Sequence, residues 1–132
     1  MSSESKLQAE VRLAMAQEQR GLLMRNNSGS LPDARGRWIR FGLGNDSKAV
    51  NEKLKSSDLV GIRRVVIQQH HVGRVIGQFM AVETKEPAWR GAAGSEHATA
   101  QAAWMDLVRA WGGVAGFANS VEMARDIWES EL

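Results

Sequence analysis

The sequence predicts an α/β fold in which a small mixed β-sheet is flanked by helices. Apolar residues recur every three to four positions in three segments of the chain, which is the spacing of one helix face. Short runs rich in valine, isoleucine and phenylalanine, which favour strands, lie between these segments. The chain has 132 residues, a length at which single hydrophobic cores commonly form, so we expect one domain over residues 1–132.

The composition excludes several classes of protein. Hydrophobic residues make up 43% of the chain and charged residues 24%, so neither a disordered nor a fibrous chain is indicated. The apolar runs are far shorter than the roughly 18 to 20 residues that span a bilayer, and the first residues lack the apolar stretch of a secretion signal. The absence of cysteine rules out a disulfide scaffold, a cysteine nucleophile and thiolate-bound metal. We therefore expect a cytoplasmic protein.

The first predicted element is a helix from Ser5 to about Met24. Its apolar stripe includes Leu7 and Val11 at helical spacing. Glu10 lies at the border of that stripe, so its carboxylate is expected to point toward the rest of the fold and away from bulk solvent.

A long polar excursion follows the first helix. Residues 25–57 are rich in Asn, Ser, Gly and Lys, and excursions of this length in small domains are usually functional or mobile. Within it, residues 37–41 are predicted to form a short strand with Trp38 or Ile39 facing inward.

Two strand-like runs come next, over residues 59–69 and 74–85. The residues between them, His70-His71-Val72-Gly73, have turn character, so an antiparallel hairpin is expected. Side chains alternate along a strand, which places Glu83 and Lys85 on the same face at its end.

The last third of the chain predicts a helix, a strand and a helix. Ser95 would cap a helix through Trp111, residues 114–118 form a short apolar strand, and Ser120 caps a helix from Val121 to about Glu131. The inner side of the first of these helices is expected to carry Gln101, Trp104, Met105, Val108 and Trp111.

Three charged residues at the ends of the two predicted strands form a candidate site. Asp58 opens the first strand, and the predicted hairpin would bring it close to Glu83 at the end of the second. Two carboxylates with a carbonyl and water suit Mg²⁺ or Mn²⁺, whereas inward charges without partners would be costly. Lys85, on the same face, could position a water molecule and stabilise charge on a phosphate.

This arrangement, in residues 57–62 and 79–85, resembles the Asp…Glu-x-Lys core of the PD-(D/E)xK nuclease superfamily. More narrowly, nearly the whole chain resembles the stand-alone VRR-NUC domain (virus-type replication-repair nuclease) found in phages and bacteria. One departure is Ser57, which stands where the superfamily has proline. The other matching features are Glu10, residues 25–29, Gly42-Leu43-Gly44, Gln101, and the segment from Gly112 to Ser120.

The resemblance implies a restriction-endonuclease-like core of the αβββαβα type and a set of site residues. The implied ligands of Mg²⁺ or Mn²⁺ are Asp58, Glu83, the backbone carbonyl of Thr84, and Glu10. The implied catalytic residues are Lys85, Glu83, Asp58, Glu10 and Gln101.

The resemblance also implies a function. It predicts a metal-dependent DNA endonuclease that hydrolyses phosphodiester bonds, selects branched DNA such as Holliday junctions, and acts in DNA repair as a homodimer. Its expected location is the cytoplasm of a bacterial cell or a phage-infected host. The alternatives left open are a non-catalytic DNA-binding or assembly module with the same fold, a less selective nuclease, and an interaction protein whose carboxylates are structural.

The charge distribution suggests where DNA would bind. Residues 20–90 carry thirteen Lys or Arg against six Asp or Glu, while both flanks are acidic. Trp38 and Trp89 lie beside basic residues and are candidates for stacking on bases. The candidate contacts to the DNA backbone are Arg25, Arg37, Arg40 and Arg90.

Overall fold

The computed structural model describes residues 2–91 and 95–132. It is a mixed α/β protein, which confirms the predicted class, and its described strands form three two-stranded sheets. The chain divides into two compact units, Met1–Gly61 and Ile62–Leu132.

The first unit holds two helices and two strand pairs. Strand β1 is hydrogen-bonded to β4, whose first residues lie in this unit, and β2 is antiparallel to β3. The elements are α1 (Ser3–Gln17), β1 (Gly21–Arg25), β2 (Gly29–Pro32), β3 (Trp38–Phe41), α2 (Lys48–Lys53) and β4 (Leu59–Arg63).

Helix α1 is shorter than predicted, and a strand follows it. The prediction of a helix to about Met24 is wrong, because Gln19 adopts a left-handed conformation (φ 53°) and the chain then enters β1. Pairing with β4, which the local pattern does not reveal, decides the structure of this apolar run. Gly61 permits the close approach, since a Cβ there would collide with the carbonyl oxygen of Leu22.

The polar excursion contains the β2–β3 hairpin and the short helix α2. A strand was predicted here, but Trp38 and Ile39 both remain exposed, at 72% and 49%, so the inward placement of either is wrong. The hairpin turn is closed by Asp33, whose Oδ1 accepts hydrogen bonds from the N–H groups of Arg35 and Arg37, each at 2.8 Å. Local polar bonds therefore hold this hairpin in place of an apolar core.

The second unit is built on a β–α–β segment. Strands β5 and β6 are parallel, with Met80 opposite Val114 and Thr84 opposite Ala118, and α3 connects them. The elements are η1 (a 3₁₀ turn, Gln69–His71), β5 (Met80–Thr84), α3 (Glu96–Ala110), β6 (Val114–Ala118) and α4 (Val121–Trp128).

The predicted helix–strand–helix end of the chain is confirmed. The Ser95 hydroxyl accepts a hydrogen bond from Ala98 N–H at 3.0 Å, and Ser120 accepts one from Met123 N–H at 3.2 Å. Met105 and Val108 on α3 are 2% and 0% exposed and form the centre of the core. The inner face of α3 is therefore the one that the periodicity predicts.

The predicted antiparallel hairpin is wrong. Among the described residues β5 pairs with β6 and β4 with β1, although the turn at η1 is present. Residues 64–68 and 74–79 form neither helix nor strand. Within them Val75 is 98% exposed and Val66 54% exposed.

No helix in the described part of the chain combines the length and the apolar character needed to cross a bilayer.

Candidate active site

Strand β5 places Glu83 and Lys85 on the same side at its end. Glu83 lies opposite Phe117 in the register of the parallel pair. The ladder continues one residue beyond Thr84, because the Lys85 N–H donates to the Ala118 carbonyl at 2.9 Å. Pairing with β6 therefore fixes the backbone from which both side chains project.

Gln101 of α3 joins the two charged side chains. Its Oε1 accepts a hydrogen bond from the Lys85 ammonium at 2.6 Å, and its Nε2 donates to Glu83 Oε1 at 2.7 Å. Lys85 Nζ lies 3.8 Å from the same carboxylate oxygen. The Lys85 side chain is 19% exposed and that of Glu83 is 37% exposed, so the cluster is partly shielded but open to a ligand.

Aromatic residues support the lysine. Its Nζ lies 5.5 Å from the centre of the Phe117 ring, within the range of a cation–π contact. Trp89 stacks on Phe117 with ring centres 5.3 Å apart. The Asn119 amide donates to the carbonyls of Pro87 and Trp89, at 3.2 and 3.0 Å, and so holds the loop that carries the indole.

The carbonyl of Thr84 points away from β6. In a parallel ladder, alternate residues of a strand bond to the same neighbour. Phe79 O accepts from Val114 N–H, and the Lys85 N–H donates to Ala118 O, so the odd-numbered residues of β5 face β6. The Thr84 oxygen is thus directed to the other edge of β5.

Asp58 belongs to the first unit, where it is exposed and directly precedes β4. Its backbone carbonyl accepts a hydrogen bond from the Asn26 N–H at 2.8 Å. The Asn26 amide also donates to Ser56 Oγ and Ser57 O, both at 2.8 Å, and accepts from Leu43 N–H at 3.3 Å. Asn26 thereby fixes the backbone that leads to Asp58.

Glu10 does not occupy the position that the helix pattern predicts. Its side chain is 60% exposed and pairs with Lys6 one turn earlier, at 3.9 Å. Residues of the apolar stripe are themselves exposed, Leu7 at 57% and Val11 at 40%. The expectation that this carboxylate avoids bulk solvent is wrong because α1 buries none of its residues.

Comparisons with protein-family models, with curated proteins and with solved structures find no match. The chemistry of the site therefore rests on its own residues. Among the described residues no group of three or more His, Asp or Glu side chains gathers in a geometry that could hold a metal ion. The second unit offers two hard oxygen donors, the Glu83 carboxylate and the Thr84 carbonyl, which is a partial fit to Mg²⁺ or Mn²⁺.

The four arginines predicted to contact DNA differ in their intramolecular bonds. The Arg37 guanidinium bonds Asp33 at 2.9 Å, and Arg90 bonds the carbonyls of Pro87 and Trp89 at 3.1 Å. Arg40 bonds Asn45 Oδ1 at 3.1 Å. Arg25 is exposed at the end of β1.

Sequence reasoning missed the residues that position the site. The sequence pattern predicts only that Phe117 belongs to a strand, and it assigns no role to Asn119. Their roles depend on the register of β5 against β6, which brings Phe117 opposite Glu83. The one available signal was the placement of a single aromatic residue in a strand otherwise made of small residues and valine.

Proposed function

We propose that the protein is a metal-dependent DNA endonuclease with a restriction-endonuclease-like core of the VRR-NUC type. The observation that carries this proposal is the hydrogen-bonded cluster of Glu83, Lys85 and Gln101 at the end of β5. A carboxylate and an ammonium two residues apart, joined by an amide from the next helix, match the Glu-x-Lys pattern of the sequence. Neither the Glu83 nor the Lys85 side chain is fully buried, so a ligand can reach both charged groups.

Lys85 would act on the reacting phosphate. Gln101 and Phe117 hold its side chain, so the ammonium is oriented before a substrate arrives. In hydrolysis the oxygen of water bonds to phosphorus, the bond from phosphorus to a sugar oxygen breaks, and the leaving oxygen gains a proton. Lys85 would position the water and offset the negative charge that develops on the phosphate.

A divalent cation would be held by the Glu83 carboxylate and the Thr84 carbonyl, and Asp58 is the further ligand that the resemblance implies. When bound, it would lower the pKa of water and neutralise charge on the phosphate. Glu83 uses Oε1 for its bonds to Gln101 and Lys85, while no described hydrogen bond engages Oε2. Asn26 would contribute by fixing the backbone before Asp58.

The proposed substrate is branched DNA, including four-way junctions, and the proposed assembly is a homodimer. One site of this kind cuts one strand, so paired cuts across a junction require two subunits, and a two-fold dimer matches the junction's symmetry. An exposed apolar segment supports self-association, since Val72, Val75 and Ile76 are 74%, 98% and 55% exposed.

The test is a cleavage assay with Mg²⁺ or Mn²⁺ on a labelled four-way junction beside plain duplex. The wild-type protein should cut the junction, and Lys85→Ala should lose cleavage while it keeps its fold and DNA binding. Lys6→Ala, at a lysine that is 73% exposed and lies outside the basic segment of residues 20–90, is the matched control and should cut normally. Equal cleavage by Lys85→Ala and wild type would overturn the mechanism.

Two further arms separate the alternatives. A non-catalytic DNA-binding module would bind the junction equally well with EDTA and would show no cleavage with any of these proteins. Asp58→Asn tests the metal, because a cation that binds only the folded protein raises its melting temperature. Mn²⁺ should raise the melting temperature of wild type and of the exposed control Asp126→Asn, but not of Asp58→Asn.

A further inference from the structure

We infer that the first unit binds an unpaired nucleotide of a DNA strand in a groove beside the β2–β3 hairpin. The groove has a volume of about 750 Å³ and is lined by β3 and by the segment that leads into α2. The choice of DNA rests on the proposed function, whereas the binding itself requires neither cleavage nor a metal.

An exposed indole and a held guanidinium form one side of the groove. Trp38 is 72% exposed, so most of its indole lies outside the protein core. Arg40 lies two residues along β3, on the same face, at a spacing of about 6.6 Å. That spacing suits a nucleotide whose base stacks on the indole while its phosphate meets the guanidinium.

Asn45 holds this side of the groove in a fixed arrangement. It is 4% exposed, and its amide donates to the carbonyls of Gly29 and Phe41, at 2.8 and 2.9 Å. Its Oδ1 accepts from Arg40 at 3.1 Å. The same buried side chain therefore ties the hairpin together and orients the arginine, which reduces the entropy lost when Arg40 binds a ligand.

Charge favours an anionic strand as the occupant. The groove is lined by the cations Arg40 and Lys48 and by one carboxylate, that of Asp46. Lys48 is 82% exposed and lies 4.0 Å from Glu52. An exposed ion pair of this kind contributes little, so Lys48 can exchange it for a phosphate. A polyanion with an aromatic face satisfies both the cations and the indole, whereas an apolar peptide would leave the cations without a partner.

The strand must be unpaired at the position that is bound. An aromatic side chain reaches the face of a base only where the base is not stacked in a duplex. The groove would therefore contact the single-stranded part of a branch, a flap or an opened end. Phosphate contacts alone would not distinguish such a strand from duplex, but the stacking on Trp38 would.

The test measures binding of the full-length protein to a labelled oligothymidylate by fluorescence anisotropy, in EDTA so that no cleavage occurs. Trp38→Ala should weaken binding about 5- to 150-fold, because it removes the stacking of one base. Trp38→Phe should recover part of the loss. The matched control is Trp128→Ala, which removes an exposed tryptophan of the second unit that also lies beside an arginine, Arg125 at 5.8 Å.

Each outcome bears on one proposal. If Trp38→Ala and Trp128→Ala bind equally well, or if wild type binds duplex as tightly as oligothymidylate, the groove is not a nucleotide site. Capture of a protein partner that Trp38→Ala abolishes, with no oligothymidylate binding, would also overturn it. Tight, Trp38-dependent binding without any cleavage would instead refute the nuclease and leave the groove standing.

Discussion

Gln101 Nε2 donates a hydrogen bond to Glu83 Oε1 over 2.7 Å, which joins the middle of α3 to the end of β5. The orientation of the amide follows from chemistry, because an ammonium can only donate and a carboxylate can only accept. Among uncharged side chains of this length, only glutamine carries both an acceptor for the ammonium and a donor for the carboxylate. Its carbonyl faces Lys85 and its amino group faces Glu83.

We predict that Gln101→Leu lowers cleavage about 10- to 100-fold, because hydrogen bonds to charged groups contribute about 1.5–3 kcal/mol. Gln101→Glu should be worse, since a second carboxylate would face Glu83 and compete for Lys85. Single-turnover rates at saturating DNA measure the effect. Gln17→Leu, at an exposed helix end, is the control. A purely structural amide would lower the melting temperature of Gln101→Leu without lowering the rate of the folded protein.

We predict that Asn26→Ala lowers the free energy of unfolding by about 0.5–1.5 kcal/mol for each hydrogen bond lost, because it removes the side-chain bonds to the Leu43 N–H and the Ser57 carbonyl. Urea denaturation measures this change. Asn27→Ala, at the exposed neighbouring position, should have little effect. Equal midpoints for the two variants would show that the network does not stabilise the first unit.

The local part of the fold could be predicted from the sequence. Helix caps at Ser95 and Ser120 and the apolar spacing of α3 are local signals, and the structure confirms them. The period-two alternation also placed Glu83 and Lys85 on one side of β5. These features depend on neighbours within a few residues, which the sequence displays directly.

Pairing between distant segments could not be predicted. The run Leu22-Leu23-Met24 continues the apolar content of α1, and only its partner β4 makes it a strand. Likewise the turn near His71 suggested a hairpin, but β5 pairs with β6 across α3. Strand partners depend on burial and long-range contacts, so the local pattern leaves them open. The expectation that Asp58 lies beside Glu83 depends on that hairpin, and it stays a prediction from the sequence.

We predict that Asp33 makes folding stability depend on pH below about 4. Hydrogen bonding from the Arg37 N–H, partly opposed by desolvation, lowers the pKa of this carboxyl below its ordinary value of 3.8. The folded state therefore binds its proton less readily than the unfolded chain does. The contribution is complete above pH 3.8 and is lost as the pH falls through the folded pKa. NMR titration of the Asp33 carboxyl measures the pKa, and an unshifted value would contradict the prediction.

We predict that Val75→Lys weakens the proposed homodimer. Val75 is 98% exposed, so the substitution removes no packing within the chain and should leave the melting temperature of the monomer nearly unchanged. In a dimer it would bury a charge in an apolar interface, which is costly unless a partner is present. Sedimentation velocity at several protein concentrations measures the association.

The control for this last prediction is Val121→Lys, at a residue 60% exposed at the start of α4. It adds the same charge to the same unit outside the segment of residues 72–76. Val75→Lys should shift the equilibrium toward monomer, while Val121→Lys should behave as wild type. A junction cut on one strand only by Val75→Lys would further tie paired cleavage to the dimer. Unchanged association of Val75→Lys would exclude this segment as the interface between copies.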